Sequence, residues 1–198
     1  MIILGLTGSI GMGKSTTAAM FGARGVPVWD ADAAVGTLYG PGGAAITLME
    51  DAFAGSTTSN GVDRSVLKAE ITKDRSALRR IEAIVHPLVA ENRAAFLERH
   101  RKAMTALVVL DIPLLFETGT DALCDHTIAV TAPPETQRAR VLERGTMTED
   151  QLDTILAAQM PDADKRARAD FVIETLTITA AEAEVDRILT QLKGSPDA

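Results

Sequence analysis

Leu6-Thr7-Gly8-Ser9-Ile10-Gly11-Met12-Gly13-Lys14-Ser15-Thr16 decides the reading of this 198-residue chain. It fits G-x-x-x-x-G-K-[ST], with Gly8, Gly13, Lys14 and Ser15 in the fixed places. The glycines let the backbone curl until several N–H groups face one anion-sized hollow. A helix opening near Gly13 adds the positive end of its dipole. Lys14 supplies a point charge for outer phosphates, and the Ser15 hydroxyl suits Mg²⁺. The flanks agree with this. Ile2-Ile3-Leu4-Gly5-Leu6 reads as a buried strand, and Lys14 to Arg24 as a helix closed by Gly25 at C′. Together they predict a nucleoside triphosphate site.

Moving outward, strand-like runs alternate with helix-like ones. Val26–Trp29, Ala106–Ile112, His126–Thr131 and Phe171–Ile173 join the opening run to make five strands. Their apolarity is continuous, as in strands covered on both faces of a parallel sheet. The expected fold is α/β: a P-loop core with a five-stranded parallel sheet flanked by helices. Ala31 to Arg101 holds no convincing strand and reads as a helical insertion. Within it, 54–61 is a loop, and a break falls at His86-Pro87 in the helical pattern of 75–101. Pro134 to Arg168 reads as two or three helices, one opened by a Thr148/Gln151 capping box. Thr179 is read as the cap of a final helix reaching about Lys193, and 194–198 as a frayed tail. The resulting division is a nucleotide-binding core (1–30, 104–133 and 169–198), a helical acceptor-binding region (31–103) and a lid region (134–168).

Net charge is −7, which argues against broad nucleic-acid binding because that needs a basic footprint. One cysteine, Cys124, permits no intrachain disulfide and fits a reducing compartment. The chain opens directly into a strand, and its apolar runs are short for a membrane span. A cytoplasmic protein with no membrane and no obligate protein partner is the expectation.

The remaining polar positions select among P-loop proteins. The N-K-x-D guanine clamp and a D-x-x-G switch are missing, which disfavours a regulatory GTPase. A short chain with a helical insertion and an arginine-bearing helix has the layout of nucleoside and metabolite kinases. Asp30 and Asp32 follow the second strand, where a carboxylate can take the proton of an acceptor hydroxyl. One of them caps the next helix; Asp30 suits that role and Asp32 the base. Asp111 is either a strand-end acid near a metal or, because Ile112 prolongs the apolar run, a residue without that role. Gln137, Arg140 and Arg144 share one helix face. That face is either a closing lid over the phosphates or a solvated face paired with Glu143 and Glu149. His86 either aims at an acceptor anion from a kink or is structural; Arg64, Arg79 and Arg80 lie upstream of it.

These segments, taken in series, resemble the dephospho-CoA kinase family. The likeness rests on 6–16, on Asp30-Ala31-Asp32, on Leu78 to Val89 with its His-Pro, and on Asp111 to Glu117 (DIPLLFE). It continues through Pro134 to Gln137 with Arg140 and Arg144, and through Ala169 to Ile173. The resemblance implies transfer of the ATP γ-phosphate to the ribose 3′-hydroxyl of dephospho-CoA, with Mg²⁺. It implies ATP contacts from Gly8, Gly11, Met12, Gly13, Lys14, Ser15, Thr16 and Arg144. Asp32, Lys14 and Arg140 are the implied catalytic residues. Acceptor contacts would come from Asp32, His86, Arg79 and Arg64, and Mg²⁺ contacts from Ser15 and Asp111. The partners are then ATP and dephospho-CoA. Two departures stand out: Glu174 lies where the family commonly has Asn, and Ile155 replaces an Arg found one turn before Gln159 in many relatives. A nucleotide or sugar kinase of the same architecture is the rival within kinases.

Overall fold

The computed structural model describes residues 1–193; the tail expected over 194–198 lies outside the described residues. In chain order come β1 (Ile2–Thr7), α1 (Lys14–Ala23), β2 (Val28–Asp30), α2 (Ala31–Tyr39) and α3 (Ala45–Ala52). Then follow β3 (Thr57–Thr58), β4 (Gly61–Val62), α4 (Arg64–Lys73), α5 (Ser76–Lys102) and β5 (Leu107–Asp111). After a 3₁₀ turn at Thr120–Leu123 come β6 (His126–Thr131), α6 (Pro134–Glu143), α7 (Glu149–Ala158) and α8 (Asp162–Arg168). The series ends with β7 (Phe171–Glu174) and α9 (Ile178–Lys193). The chain divides into two compact units, Met1–Trp29 with Ala103–Ala198, and Asp30–Lys102.

The first unit is built on a five-stranded sheet of order β2-β5-β1-β6-β7. β1 pairs in parallel with β5 and β6, and β6 with β7. Strand order therefore reverses around β1, so its carboxyl end is the switch point where α/β sheets bind ligands. Leu6 stands opposite Asp111 on one side and Ile128 on the other. Leu4, Leu6, Val109, Ile128 and Val130 form the core with Phe21 of α1 and Val185, Ile188 and Leu192 of α9. Each large apolar side chain so buried contributes about 1.5–3 kcal/mol relative to exposure. Helix α1 ends in a Schellman motif: Val26 N–H donates to the Phe21 carbonyl and Gly25 N–H to that of Gly22. Asp170 accepts from both the N–H and the hydroxyl of Thr127, tying the start of β7 to β6.

The second unit packs α2, α3, α4 and α5 around Leu38, Met49, Phe53, Leu67, Ile81 and Val85. Two expectations fail here. The loop at 54–61 contains a short antiparallel hairpin, β3–β4, with Thr57 opposite Val62. Glu50 holds it by accepting from Gly55 N–H, Thr57 N–H and the Thr57 hydroxyl. Those polar partners leave no apolar alternation to read in the sequence. Helix α5 also runs unbroken through His86-Pro87. Pro87 removes one helical hydrogen bond, but Ala77, Ile81 and Val85 before it and Leu88 and Val89 after it pack on the same apolar core and hold the helix across the gap.

Smaller corrections concern ends. β5 stops at Asp111 rather than Ile112, so Asp111 is the strand-end acid. The last helix is capped by Thr177, not Thr179, because the Thr177 hydroxyl accepts from Ala180 N–H. The Thr148/Gln151 capping box is present as read.

Candidate active site

The loop from Gly8 to Gly13 joins β1 to α1, and its geometry begins with two residues in the left-handed region. Gly11 has φ +80° and Gly13 φ +89°. At Gly11 a Cβ would stand 2.6 Å from Val141 Cγ2 and 2.9 Å from the Gln137 carbonyl. At Gly13 it would meet the Thr175 side chain at 3.0 Å. Glycine is thus required twice, once by conformation and once by the walls.

The loop carbonyls are fastened from outside. Gln137 Nε2, on a 5% exposed side chain, donates to the Ile10 carbonyl at 2.7 Å. The Thr175 hydroxyl donates to the Met12 carbonyl at 2.8 Å. The Ser9 carbonyl accepts from Met12 N–H, and the Gly13 carbonyl from Thr17. Met12 itself is buried, and its sulfur accepts from Ala132 N–H. Its side chain is thus a wedge under the loop. With the carbonyls directed outward, the first-turn N–H groups of α1 are the polar groups left for an anion. Ser15 and Thr16 are exposed on that turn.

Lys14 Nζ lies 2.5 Å from Asp111 Oδ1, a carboxylate only 1% exposed. The end of β5 thereby meets the head of α1. A strand-end acid beside the loop lysine is the arrangement in which an ammonium and a metal share one carboxylate's field.

Helix α6 carries Gln137 and Arg140, with Arg144 as its C-cap residue, and the three have different duties. Gln137 belongs to the loop's foundations. Arg140 donates to the Thr175 hydroxyl at 2.9 Å and to the Thr175 carbonyl at 2.5 Å. Its partner is therefore Thr175 rather than Glu143 or Glu149. Arg144 is exposed at the end of α6. Arg138, on another face, pairs with Asp153 of α7 at 2.7 Å.

A cavity of 240 Å³ opens beside the loop within this unit, lined among others by Gly11, Gly13, Arg140, Arg144, Thr175 and Leu176. Leu176 and Ile178, 53% and 60% exposed, add an apolar flank. Sequence reasoning missed Thr175, Leu176 and Ile178. It pointed to Glu174, yet Glu174 is an exposed residue of β7 and the next residue lines the cavity. The available signal was position: the residues following the last strand of the sheet lie at its ligand-binding end.

In the second unit the candidate side chains sit on helix surfaces. The Asp30 carboxylate caps α2, accepting from Ala33 N–H at 2.9 Å. That leaves Asp32 exposed in the first turn of α2. Arg64 stacks over the Tyr39 ring at 5.3 Å. Arg79 and His86, seven residues apart on α5, are exposed and share a face. Arg80 is committed to structure: it lies over the Phe53 ring at 4.4 Å and donates to the Ala52 carbonyl.

A parallel sheet with its switch point at a fastened phosphate loop, a loop lysine and a strand-end acid defines a P-loop kinase. Comparison with known proteins narrows the class. Residues 2–180 match the family model for dephospho-CoA kinase. A dephospho-CoA kinase from a Jannaschia species is 57% identical over 96% of each chain. One from Cereibacter sphaeroides is 55% identical over 98% of each. A crystal structure from Thermus thermophilus superposes with a TM-score of 0.82 at 33% identity, covering 98% of both chains. A Campylobacter jejuni dephospho-CoA kinase shares the fold with a TM-score of 0.70 at 22% identity, over 96% of each. The chain belongs to the dephospho-CoA kinase family.

Proposed function

We propose that this enzyme phosphorylates the ribose 3′-hydroxyl of dephospho-CoA with ATP, giving coenzyme A and ADP in the last step of CoA synthesis. The fastened loop carries the reading: the Ile10 and Met12 carbonyls are turned away, and Gly11 and Gly13 are in the left-handed region. The first-turn amides of α1 and the Lys14 ammonium hold the β- and γ-phosphates. Asp32 accepts the proton of the 3′-hydroxyl as the oxygen–phosphorus bond forms and the bond to the ADP oxygen breaks. Arg140 and Arg144 offset charge on the transferred group and help exclude water. The 240 Å³ cavity, with Leu176 as an apolar wall, receives the adenine of ATP.

Mg²⁺ fits the donors present. The Ser15 hydroxyl and the Asp111 carboxylate, which pairs with the neighbouring Lys14, are hard oxygen ligands. Among the described residues no group of three or more His, Cys, Asp or Glu could hold a metal by itself. That suits an ion completed by phosphate oxygens and water. Bound there, Mg²⁺ would polarise the phosphates and neutralise charge as it develops.

Residues 31–103 are assigned to acceptor binding, with Arg64, Arg79 and His86 facing the anionic acceptor, and 134–168 to a lid. Among the described residues no helix is long and apolar enough to cross a membrane. A cytoplasmic enzyme without nucleic-acid, membrane or obligate protein partners fits the acidic charge and the single cysteine.

The deciding experiment offers ATP and Mg²⁺ with dephospho-CoA, adenosine monophosphate or gluconate as acceptor, and follows ADP release and product mass. Phosphorylation of dephospho-CoA alone is expected. Preference for either of the others would overturn the assignment.

A further inference from the structure

Lys165 is a charged side chain that the chemistry above does not use. It is completely buried in α8. Its ammonium has three oxygen neighbours for its three protons. It donates to the Pro113 carbonyl at 2.9 Å, pairs with Glu117 Oε1 at 2.9 Å, and lies 3.5 Å from the Thr7 hydroxyl. The Thr7 hydroxyl donates to the same Pro113 carbonyl at 2.9 Å. Glu117 accepts in addition from Met160 N–H, in the segment between α7 and α8.

The positions of these partners give the cluster its meaning. Thr7 ends β1 and directly precedes Gly8. Pro113 follows the strand-end acid Asp111 by two residues, and Ile112 N–H donates to the Leu6 carbonyl between them. The ammonium therefore clips together the two strand ends that deliver the phosphate loop and the acid gripping Lys14. A buried ion pair is weak support for stability, since apolar side chains of similar size often hold a fold as well. A pair kept at this place points to a positional task.

We propose that Lys165 and Glu117 form a positioning clamp that sets the end of β5 against the start of the phosphate loop, fixing Asp111 and Lys14 for ATP. Lys165 acts through the Pro113 carbonyl and touches no reacting group. The clamp deepens the kinase reading and rests on its ATP site, not on the identity of the acceptor.

The test compares wild type with Lys165→Met/Glu117→Leu, which removes both charges and orphans neither. ATP affinity is measured by calorimetry without acceptor; kcat and both KM values come from turnover, and folding from circular dichroism. A folded variant with ATP affinity and kcat/KM for ATP lowered about 10–100-fold is expected, the range for outer partners of metal ligands. The KM for dephospho-CoA should stay within about twofold, because losses confined to the phosphate site leave acceptor binding intact. Wild-type ATP affinity in the folded variant would overturn the clamp. So would equal losses toward both substrates that follow the loss of melting temperature. Should the double variant not fold, Glu117→Gln decides by the same measurements. Its side chain is 20% exposed and keeps its shape. Weaker ATP binding with an unchanged acceptor KM supports the clamp, and unchanged ATP binding ends it. If wild type fails to phosphorylate dephospho-CoA, the functional reading falls while ATP binding still judges the clamp.

Discussion

The side chains around the phosphate loop and the candidate acceptor side chains of the second unit are held in opposite ways. In the unit built on the sheet, the former are engaged with one another beneath the phosphate loop: Lys14 with Asp111, Arg140 with Thr175, Gln137 with Ile10, Lys165 with Glu117. In the unit from Asp30 to Lys102, Asp32, Arg79 and His86 stand exposed on helix surfaces over a separate apolar core. One region is organised by its own contacts, and the other displays groups on a scaffold. Substitutions in the first should therefore damage binding and geometry together. In the second they should separate cleanly into chemistry or stability.

The sharpest break is expected at Lys14. Lys14→Ala removes the loop's ammonium and leaves the buried Asp111 carboxylate without it. A fall of about 10³-fold in kcat/KM for ATP is expected, the upper range for loss of one electrostatic donor. Steady-state kinetics with varied ATP checks it. Asp32→Asn should lower kcat by about 10²-fold, the scale of general-base loss. Because Asp32 is exposed in the other unit, ATP affinity and melting temperature should hold, which single-turnover assays and calorimetry can separate. Gly11→Ala tests the walls of the loop. A Cβ at φ +80° against Val141 and Gln137 should cost about 1–3 kcal/mol of local strain, seen as weaker ATP binding and a lower melting temperature.

Two smaller effects complete the series. Arg80→Ala removes a cation–π contact with Phe53 and should cost about 0.5–1 kcal/mol by denaturant unfolding, with ATP affinity unchanged. The last concerns acid. Burial alone would raise the Glu117 carboxyl above its ordinary 4.5, but the hydrogen bonds from Lys165 and Met160 N–H outweigh it and hold it lower. A carboxyl lowered on folding contributes stability that is present above 4.5 and lost as pH falls through its folded value. The stability gap between wild type and Glu117→Gln should therefore close on acidification below that point.

The same contrast explains what the sequence made legible. Continuous apolar runs announced β1, β5 and β6, because these strands are buried on both faces; β7, exposed at Val172 and Glu174, was announced only by its short apolar run. The G-x-x-x-x-G-K-S spacing placed the loop, since its chemistry and its backbone need the same residues. The cap of α2 was readable from Asp30 preceding the helix. The hairpin β3–β4 was not, because Thr57 and Thr58 pair with Val62 and Gly61 through backbone, and Glu50 holds Thr57, with no apolar alternation to mark it. Pro87 misled because local propensity is weaker than a long stripe of tertiary packing. Lys165 was hidden by its neighbours: Asp162, Asp164, Arg166 and Arg168 make α8 look wholly solvated. Thr175 carried no local signal, since a hydroxyl that joins an arginine to a loop carbonyl is recognisable only when both arrive from elsewhere in the chain.

Gln137 and Thr175, gripping the carbonyls of Ile10 and Met12, bear on thermodynamics as well as shape. The freedom of that hairpin-tight turn is surrendered when the protein folds, so an arriving polyphosphate need not freeze it again. Nucleotide capture should accordingly show a small entropic penalty. The same grip makes capture hostage to α6: warming or denaturant that loosens this helix should erode affinity well before the sheet gives way.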